Sequence, residues 1–420
     1  MVGGGIFAVL GLAVELAGGG TAIAFAIAGI VALITSYSYA KLSVAYPSQG
    51  GTVEFLNKAF GKGVFTRGFN ILLWLSYIVM LALYAYAFGS YGASFFPKST
   101  QTFWKHLLIS LIIISITWLN ALSVGTIGKT ERWIVAFKVA ILLFFIGVGF
   151  WSINASRFGP TTWTSPVKLV AGGMIIFLAY EGFELIANTA KDVKNPRKTL
   201  PRAYYTAVTF VILLYILVAL VTVGSLPLSQ IVGARDYALA EAAKPSMGSF
   251  GFTLIAIAAL LSTASAINAT FYGASRVSYN IAKDGELPEL LEKKVWNKPI
   301  EGLLITSVFT LFIANFSNLS TISTMGSAGF LIIFAAVNAA NARMHKGTES
   351  RRWISVFGIF ACLGALVALI WQTLTTNPKE ILILIIMLVL AFAMEVVYRN
   401  RTGRVILPLS PRAIHTEERR

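Results

Sequence analysis

Apolar residues form a series of long runs along the 420-residue chain, separated by short polar connections. A helix of about 20 mostly apolar residues crosses a bilayer. Runs of this kind, numbered here as spans 1 to 12, cover residues 4–18, 21–45, 66–96, 104–122, 133–153, 167–190, 203–224, 249–282, 302–316, 319–342, 353–373 and 380–398. Backbone groups cannot stay unpaired in lipid and the alternation of a barrel strand is absent, so the pattern predicts an all-α integral membrane protein with about 12 transmembrane helices.

Composition agrees with this prediction, since 56% of the residues are hydrophobic and only 12% are charged. Soluble domains carry about 25% charged residues, so an ordinary soluble enzyme, a disordered chain and a nucleic-acid module are excluded. Most of the 34 Lys and Arg residues lie in the even-numbered connections and in the tail 399–420. The positive-inside rule therefore predicts a multi-pass protein of the cytoplasmic membrane with both termini in the cytoplasm. The partner of these charges is the lipid bilayer, with no nucleic acid expected.

Residues for catalysis or metal binding are scarce in the sequence. The one cysteine, Cys362, lies inside an apolar run, and the three histidines are far apart along the chain. The longest polar loop, 284–300, has no phosphate-binding pattern. We expect no enzymatic activity, no metal and no cofactor, so that any energy coupling uses a gradient.

Span 1 opens with three consecutive glycines, Gly3, Gly4 and Gly5. Each costs a helix roughly 1 kcal/mol relative to alanine, so the pattern predicts a helix that begins near Ile6 and leaves free N–H groups before it. Such an end suits an anion, for example a carboxylate. The alternative is a face of small residues at which helices pack closely.

Span 6 contains two carboxylates, Glu181 and Glu184, on either side of Gly182. Ionisable groups at this depth are expensive and indicate a function. A break at Gly182 would leave the carbonyls of Phe177 to Tyr180 unpaired, and such carbonyls suit an ammonium group. The alternative places Glu184 in an internal hydrogen-bond network that only holds helices together.

The two predicted breaks lie five spans apart. Because five is odd, the second set of spans would cross the membrane in the opposite sense to the first. Inverted repeats with paired broken helices and a site at the midplane are typical of one transporter architecture. N–H groups from one half-helix and C=O groups from another would match the two charges of a zwitterionic amino acid.

Three sequence motifs occur at these positions. They are Gly3-Gly4-Gly5-Ile6-Phe7, Tyr180-Glu181-Gly182-Phe183-Glu184 and the run Asp192-Val193-Lys194-Asn195-Pro196-Arg197-Lys198-Thr199-Leu200-Pro201-Arg202-Ala203. With them the chain resembles, over nearly its whole length, the amino acid–polyamine–organocation (APC) transporter superfamily of the LeuT-type fold. The resemblance is greatest to prokaryotic proton-coupled amino acid transporters of broad specificity.

The resemblance implies a five-plus-five inverted repeat with broken helices 1 and 6. The first repeat would cover 1–153, without the inner half of helix 1, and the second 167–342. Helices 11 and 12 would follow in 353–398, and a cytoplasmic tail in 399–420.

The resemblance also implies the roles of single residues. Amides of Gly3, Gly4 and Gly5 would hold the substrate carboxylate, and carbonyls near Phe177, Leu178 and Tyr180 its amine. Side chains of Leu178 and Tyr180 would form part of an outer lid, and Glu184 would lie near the inner gate. The set of substrate-binding positions is Gly3, Gly4, Gly5, Ile6, Phe177, Leu178, Tyr180, Glu181 and Gly182.

Lys138 in span 5 has two interpretations. Its long side chain can reach the inner headgroups. In proton-coupled relatives, however, a lysine ammonium at this position replaces a sodium ion between helices 1, 5 and 8. The resemblance then implies proton coupling through Lys138, with Ser265, or less directly Ser262, as its neighbour on helix 8.

The chain departs from the family at two positions that bear on function. Relatives carry residues before the glycines, so we expect a start codon upstream of Met1; the alternative is a form that lacks part of its inner gate. Glu181 replaces a residue that is usually neutral, which favours cationic substrates or else marks a solvated lining residue.

The function implied is import of amino acids by proton symport with alternating access. The alternatives are an exchanger of amino acids or polyamines and, in a different class, an amino acid sensor that does not transport.

Overall fold

The computed structural model describes residues 1–122, 127–283 and 300–402. Its α-helices are α1 Gly5–Ala17, α2 Thr21–Ala45, α3 Thr52–Phe60, α4 Val64–Ala93, α5 Gln101–Leu122, α6 Ile127–Gly149, α7 Pro166–Ile175, α8 Pro196–Ser225, α9 Leu228–Gly233, α10 Ala238–Lys283, α11 Ile300–Phe316, α12 Leu319–Arg343, α13 Arg352–Thr376 and α14 Pro378–Thr402. A 3₁₀-helix, Phe177–Asp192, follows α7.

The predicted multi-pass helical architecture is confirmed. Within the described ranges, nine helices are long and apolar enough to cross a membrane. The pair α7 and Phe177–Asp192 forms a further bent span, and α1 and α11 are shorter apolar helices. Together these elements occupy the positions of the twelve predicted spans. The short helices α3 and α9 lie in the connections between them.

Helices α4 and α12 form the centre of the bundle. In their most apolar windows 89% and 83% of the residues are buried, against 22–28% in α5, α6, α13 and α14. The outer helices expose large apolar side chains such as Trp118, Phe312 and Trp371, as expected for a surface that faces lipid. Helix α2 packs along α8 and α4 packs along α10. The members of each pair lie five spans apart, but the division into two inverted repeats stays a prediction.

Helix α1 begins where the glycines predict. Gly5 is its first residue, and the Gly4 carbonyl accepts the first bond of the helix, from the Ala8 amide at 2.9 Å. The low helix propensity of three glycines explains why regular structure does not extend back through them.

The interruption in span 6 exists, but the prediction that it lies at Gly182 was wrong. Helix α7 ends at Ile175 and the chain bends by 41° before Phe177. Gly182 lies inside the 3₁₀-helix that follows. Bonds in such a helix run from each N–H to the carbonyl three residues earlier, so the carbonyls of Phe177 to Tyr180 already accept backbone bonds and only a second lone pair remains.

Two serines of α12 stabilise this break. Ser323 and Ser327 both donate to the Ile175 carbonyl, at 2.6 and 2.8 Å, and the Leu178 amide donates to the Ser327 hydroxyl at 3.1 Å. Backbone groups released by a break inside a membrane protein need such partners because lipid supplies none. Side chains 150 residues away in sequence therefore determine where span 6 bends.

Candidate functional site

The start of α1 and the bent span 6 meet in the interior of the bundle. A side-chain carbon placed on Gly5 would lie 2.8 Å from the Ala179 Cα, and one on Gly182 would lie 3.2 Å from the Met1 Cα. The start of α1 therefore runs alongside the 3₁₀-helix at van der Waals distance. This contact brings predicted substrate residues of both spans together, and two of them, Ile6 and Phe177, are fully buried.

The glycines before α1 also touch two further helices. A Cβ on Gly4 would approach Tyr84 of α4 to 2.5 Å and Thr263 of α10 to 2.8 Å, and one on Gly3 would lie 3.4 Å from Ala266. No real Cβ makes contacts as short as those at Gly4, so a residue without a side chain is required there. The backbone of α1 is thus enclosed by α4, α10 and the 3₁₀-helix.

The amides in the first turn of α1 have no partner within the helix. The Tyr215 hydroxyl of α8 faces the amides of Gly3 and Ile6, without meeting hydrogen-bond geometry among the described residues. Sequence analysis did not find Tyr215, because a tyrosine in span 7 carries no local signal for this position.

The two carboxylates of the 3₁₀-helix are both buried but differ in their contacts. Glu184 is fully buried, with one oxygen accepting from Thr52 at 2.6 Å and the other from the Tyr77 hydroxyl. Glu181 is 1% exposed, and neither of its oxygens has a hydrogen-bond partner in the described part of the chain. Side chains three residues apart are eclipsed in a 3₁₀-helix, so both acids share one face.

A polar network extends from Glu184 across several helices. Thr52 accepts from the Tyr39 hydroxyl at 2.9 Å, and Asn188 donates to Tyr77 at 3.2 Å. Arg276 of α10 donates to the Asn188 carbonyl at 3.1 Å. The network ties the 3₁₀-helix to α2, α3, α4 and α10, so the internal-network interpretation of Glu184 describes real contacts and does not exclude a gating role.

Leu178 and Tyr180 lie on the interior side of the 3₁₀-helix. Leu178 packs against Gly326 of α12, where an added Cβ would come within 2.5 Å of it. Tyr180 donates to the Phe25 carbonyl of α2 at 3.0 Å, and its ring packs against Tyr215. Both side chains are fully buried, so each is positioned by a different neighbouring helix.

Lys138 is buried on α6, with 2% of its surface exposed. Helix α6 packs along α10, which carries Ser262 and Ser265. The Ser262 hydroxyl is buried without a hydrogen-bond partner among the described residues, and Ser265 is partly exposed. Burial at 2% is unlike a side chain that extends to the headgroups; the role of Lys138 in coupling stays a prediction.

Charged residues cluster around the end of α1 farthest from the glycines. Arg235 pairs with Glu15 at 2.9 Å, and its backbone carbonyl lies directly against Gly11, where a Cβ would not fit. Asp236 accepts from Tyr86 at 3.0 Å, and Lys105 is 4.0 Å from it. We call Glu15, Lys105, Arg235 and Asp236 the charged cluster. It joins α1, α5 and the connection before α10, and Tyr86 links it to α4.

No group of three or more His, Cys, Asp or Glu side chains that could hold a metal occurs in residues 1–122, 127–283 and 300–402. The candidate site consists of backbone amides, buried carboxylates and tyrosines.

Comparison with known proteins agrees with this arrangement. The family model described as amino acid permease matches residues 1–393. An uncharacterised protein of Methanocaldococcus jannaschii is 35% identical over 96% of this chain and 93% of its own length. The inner membrane transport protein YbaT of Escherichia coli is 35% identical over 96% and 94%. The methylthioribose transporter of Bacillus subtilis is 26% identical over 82% and 78%.

A helical bundle in which the start of α1 packs against a bent span 6 defines the class as a multi-pass membrane protein. The chain belongs to the amino acid permease family of the APC superfamily. Family membership supports transport of amino acids across a membrane, and the relatives are permeases and transporters rather than enzymes.

Proposed function

We propose that this protein is a secondary active transporter that imports amino acids by proton symport with alternating access. The observation that carries the proposal is the contact of the α1 glycines with the 3₁₀-helix, Gly5 against Ala179 and Met1 beside Gly182. It brings free amide donors and buried acceptors to one enclosed place, which suits a ligand that carries both charges.

In this proposal the substrate carboxylate binds the amides at Gly3, Gly4, Gly5 and Ile6. Phe177, Leu178, Tyr180 and Gly182 line the opposite wall, where the second lone pairs of the 3₁₀ carbonyls remain free to accept. The Tyr215 hydroxyl, which faces two of the same amides, would move or bridge to the carboxylate. A reorganisation of this kind suits a site that is occupied only during part of a transport cycle.

Lys138 is the proposed proton carrier. Its side chain is 2% exposed, on a helix that packs along α10, and gain or loss of a proton would change its contacts with that helix. Protonated, the amine would hold α1 and α10 together through Ser265 or Ser262; neutral, it would release them. Glu184 acts at the inner gate, where its bond to Thr52 ties the 3₁₀-helix to α3.

The proposal includes the orientation of the protein in the membrane. The distribution of Lys and Arg places both termini in the cytoplasm of a cell membrane. The α3 side of the molecule then faces the cytoplasm, and the charged cluster faces outward. Opening at these two ends in turn would give the site access to each side.

Uptake into liposomes tests the proposal. The purified protein is reconstituted, and accumulation of labelled amino acids is followed under an inward proton gradient, with and without sodium. We expect accumulation that requires the proton gradient and is independent of sodium. Uptake driven by sodium and indifferent to the proton gradient would refute proton symport.

Two other functions give different results in the same liposomes. An exchanger would take up labelled substrate only when the vesicles already hold unlabelled substrate. A sensor would bind amino acids without flux. The relative in Bacillus subtilis is named for methylthioribose, so this compound belongs in the substrate panel.

A further inference from the structure

We propose that the carboxylate of Glu181 is the counter-ion for the α-ammonium group of the substrate. The inference rests on the proposed function and adds a residue that determines which small molecules the site accepts. In this inference the ammonium binds a side chain with a full negative charge, and not backbone carbonyls alone.

The first support is the state of the carboxylate itself. Glu181 is 1% exposed, and both of its oxygens are buried with no hydrogen-bond partner among the described residues. Burying an ionised carboxylate without hydrogen bonds costs several kcal/mol. Glu184, three residues later, has both oxygens bonded. In the same helix, Glu184 therefore has hydrogen-bond partners within the protein, whereas Glu181 is available to a ligand.

The second support is the position of the carboxylate relative to the amides of α1. The Tyr84 hydroxyl lies 3.8 Å from the position that a Cβ on Gly3 would occupy. The Tyr215 hydroxyl faces the amides of Gly3 and Ile6. Both tyrosines interact electrostatically with Glu181. The carboxylate and the amide donors thus share the same neighbours. In an α-amino acid the two charged groups are attached to one carbon, so a single substrate can reach both.

The third support is the set of titratable side chains around Glu181. Among the described residues these are hydroxyls or acids that offer no positive charge, namely Glu184, Tyr39, Tyr77, Tyr84 and Tyr215. An ammonium is the ligand group that this environment lacks.

The fourth support is the corrected position of the break. The carbonyls of Phe177 to Tyr180 accept 3₁₀ bonds, so they hold an amine less strongly than unpaired carbonyls would. A carboxylate makes a charge-assisted hydrogen bond, which is roughly twice as strong as a neutral one. Glu181 therefore supplies the acceptor for the ammonium group, in place of the unpaired carbonyls that a break at Gly182 would have left.

Calorimetric binding to the purified full-length protein tests the inference with two ligands of one shape. Norleucine carries an α-ammonium, and 2-hydroxyhexanoate carries a hydroxyl in its place. We expect wild type to prefer norleucine and Glu181→Gln to lose most of this preference. The ratio of the two Kd values should fall about 30-fold, or about 2 kcal/mol. A general defect in folding or in the pocket would weaken both ligands and leave the ratio unchanged.

Two further variants support the interpretation. Glu380→Gln removes a buried acid of α14 that accepts hydroxyls of Ser320 and Thr324, and it should leave the ratio as in wild type. Glu181→Asp keeps the charge and should retain part of the preference, and it replaces the Gln variant if that protein does not fold.

Distinct results overturn the inference and the proposed function. An unchanged ratio in Glu181→Gln, with norleucine still bound, overturns the inference alone. Loss of lysine binding with norleucine retained also overturns it, because Glu181 would then hold a side-chain ammonium. If wild type binds no amino acid of a panel that includes norleucine, lysine, glutamate and phenylalanine, the proposed function fails, and the inference fails with it.

Discussion

The Thr52 hydroxyl donates to the Glu184 carboxylate at 2.6 Å, which joins the first residue of α3 to the middle of the 3₁₀-helix. Neither residue is near the other in sequence, and Glu184 is fully buried. The bond closes the polar network at the end of the molecule that we assign to the cytoplasm. Its strength should therefore affect both stability and opening at that end.

Thr52→Val should weaken this end of the protein. The substitution preserves shape but leaves a buried carboxylate oxygen without a partner, which costs about 1–3 kcal/mol. We expect a lower melting temperature and slower uptake at saturating substrate, measured by thermal unfolding and liposome flux. Thr375→Val is the matched control, because that exposed threonine bonds only within its own helix. Equal melting temperatures for Thr52→Val and wild type would contradict the prediction.

Gly5→Ala should abolish most transport. The new methyl group would lie 2.8 Å from the Ala179 Cα, and backbone cannot move aside as a flexible side chain can. Overpacking of this kind costs about 1–3 kcal/mol and would separate α1 from the 3₁₀-helix. Gly147→Ala, in open space on α6, is the control and should keep full uptake. Normal uptake by Gly5→Ala would show that the close approach is not needed.

Ser327→Ala should destabilise the break in span 6. It removes both a donor to the Ile175 carbonyl and the acceptor of the Leu178 amide. We expect a loss of about 1–3 kcal/mol in unfolding free energy and faster hydrogen exchange at Leu178. Ser76→Ala provides the comparison, since Ser76 donates to a carbonyl of its own helix, Leu72. Exchange that is equally slow in both variants would rule out Ser327 as the support of the break.

Arg235→Gln should loosen the charged cluster. Glu15 and Arg235 are partly exposed, so the pair contributes only about 0–1 kcal/mol to stability, and the melting temperature should barely change. Access to the site should increase, because the Arg235 segment lies directly on Gly11. The measurement is thiol labelling of Ala8→Cys in a Cys362→Ser background, applied from the side that holds the cluster. Labelling no faster than with Arg235 present would contradict a closing role.

Lys138→Ala should remove the pH dependence of uptake. If Lys138 carries the proton, its loss leaves binding possible but uncouples flux from the proton gradient. Counterflow between equal concentrations should persist, while accumulation against a gradient should fail. The control is Lys379→Ala, an exposed lysine at the start of α14. A pH profile identical to wild type in Lys138→Ala would return this lysine to a structural role.

Hydropathy alone located the apolar helical segments that the structure describes, because exclusion of unpaired backbone from lipid requires helical structure in each run. The three glycines located the start of α1 correctly, since helix propensity is a local property. The sequence predicted the break of span 6 at Gly182, whereas the structure has it at Ile176, and the difference has a physical reason. Glycine is tolerated within a 3₁₀-helix, whereas the break depends on Ser323 and Ser327 of α12, which no local pattern connects with span 6.

The sequence singled out both carboxylates of span 6, from their cost at membrane depth, and the α1 glycines, from their low helix propensity; their roles stay predictions. Thr52 and Tyr215, which bond to Glu184 or face the first amides of α1, carry no such signal. A hydroxyl is common in any span, so only the packing of distant helices places these two residues beside the others.

The unusual length of the 3₁₀ segment has a mechanical consequence. Its 16 residues rise about 2.0 Å each, against about 1.5 Å in an α-helix. Rewinding the whole segment to α geometry would shorten it by roughly 8 Å, and rewinding a single turn would rotate Glu184 by about 60° relative to Glu181. A change of span 6 from 3₁₀ to α geometry would therefore shorten it and move Glu184 off the helix face that it shares with Glu181.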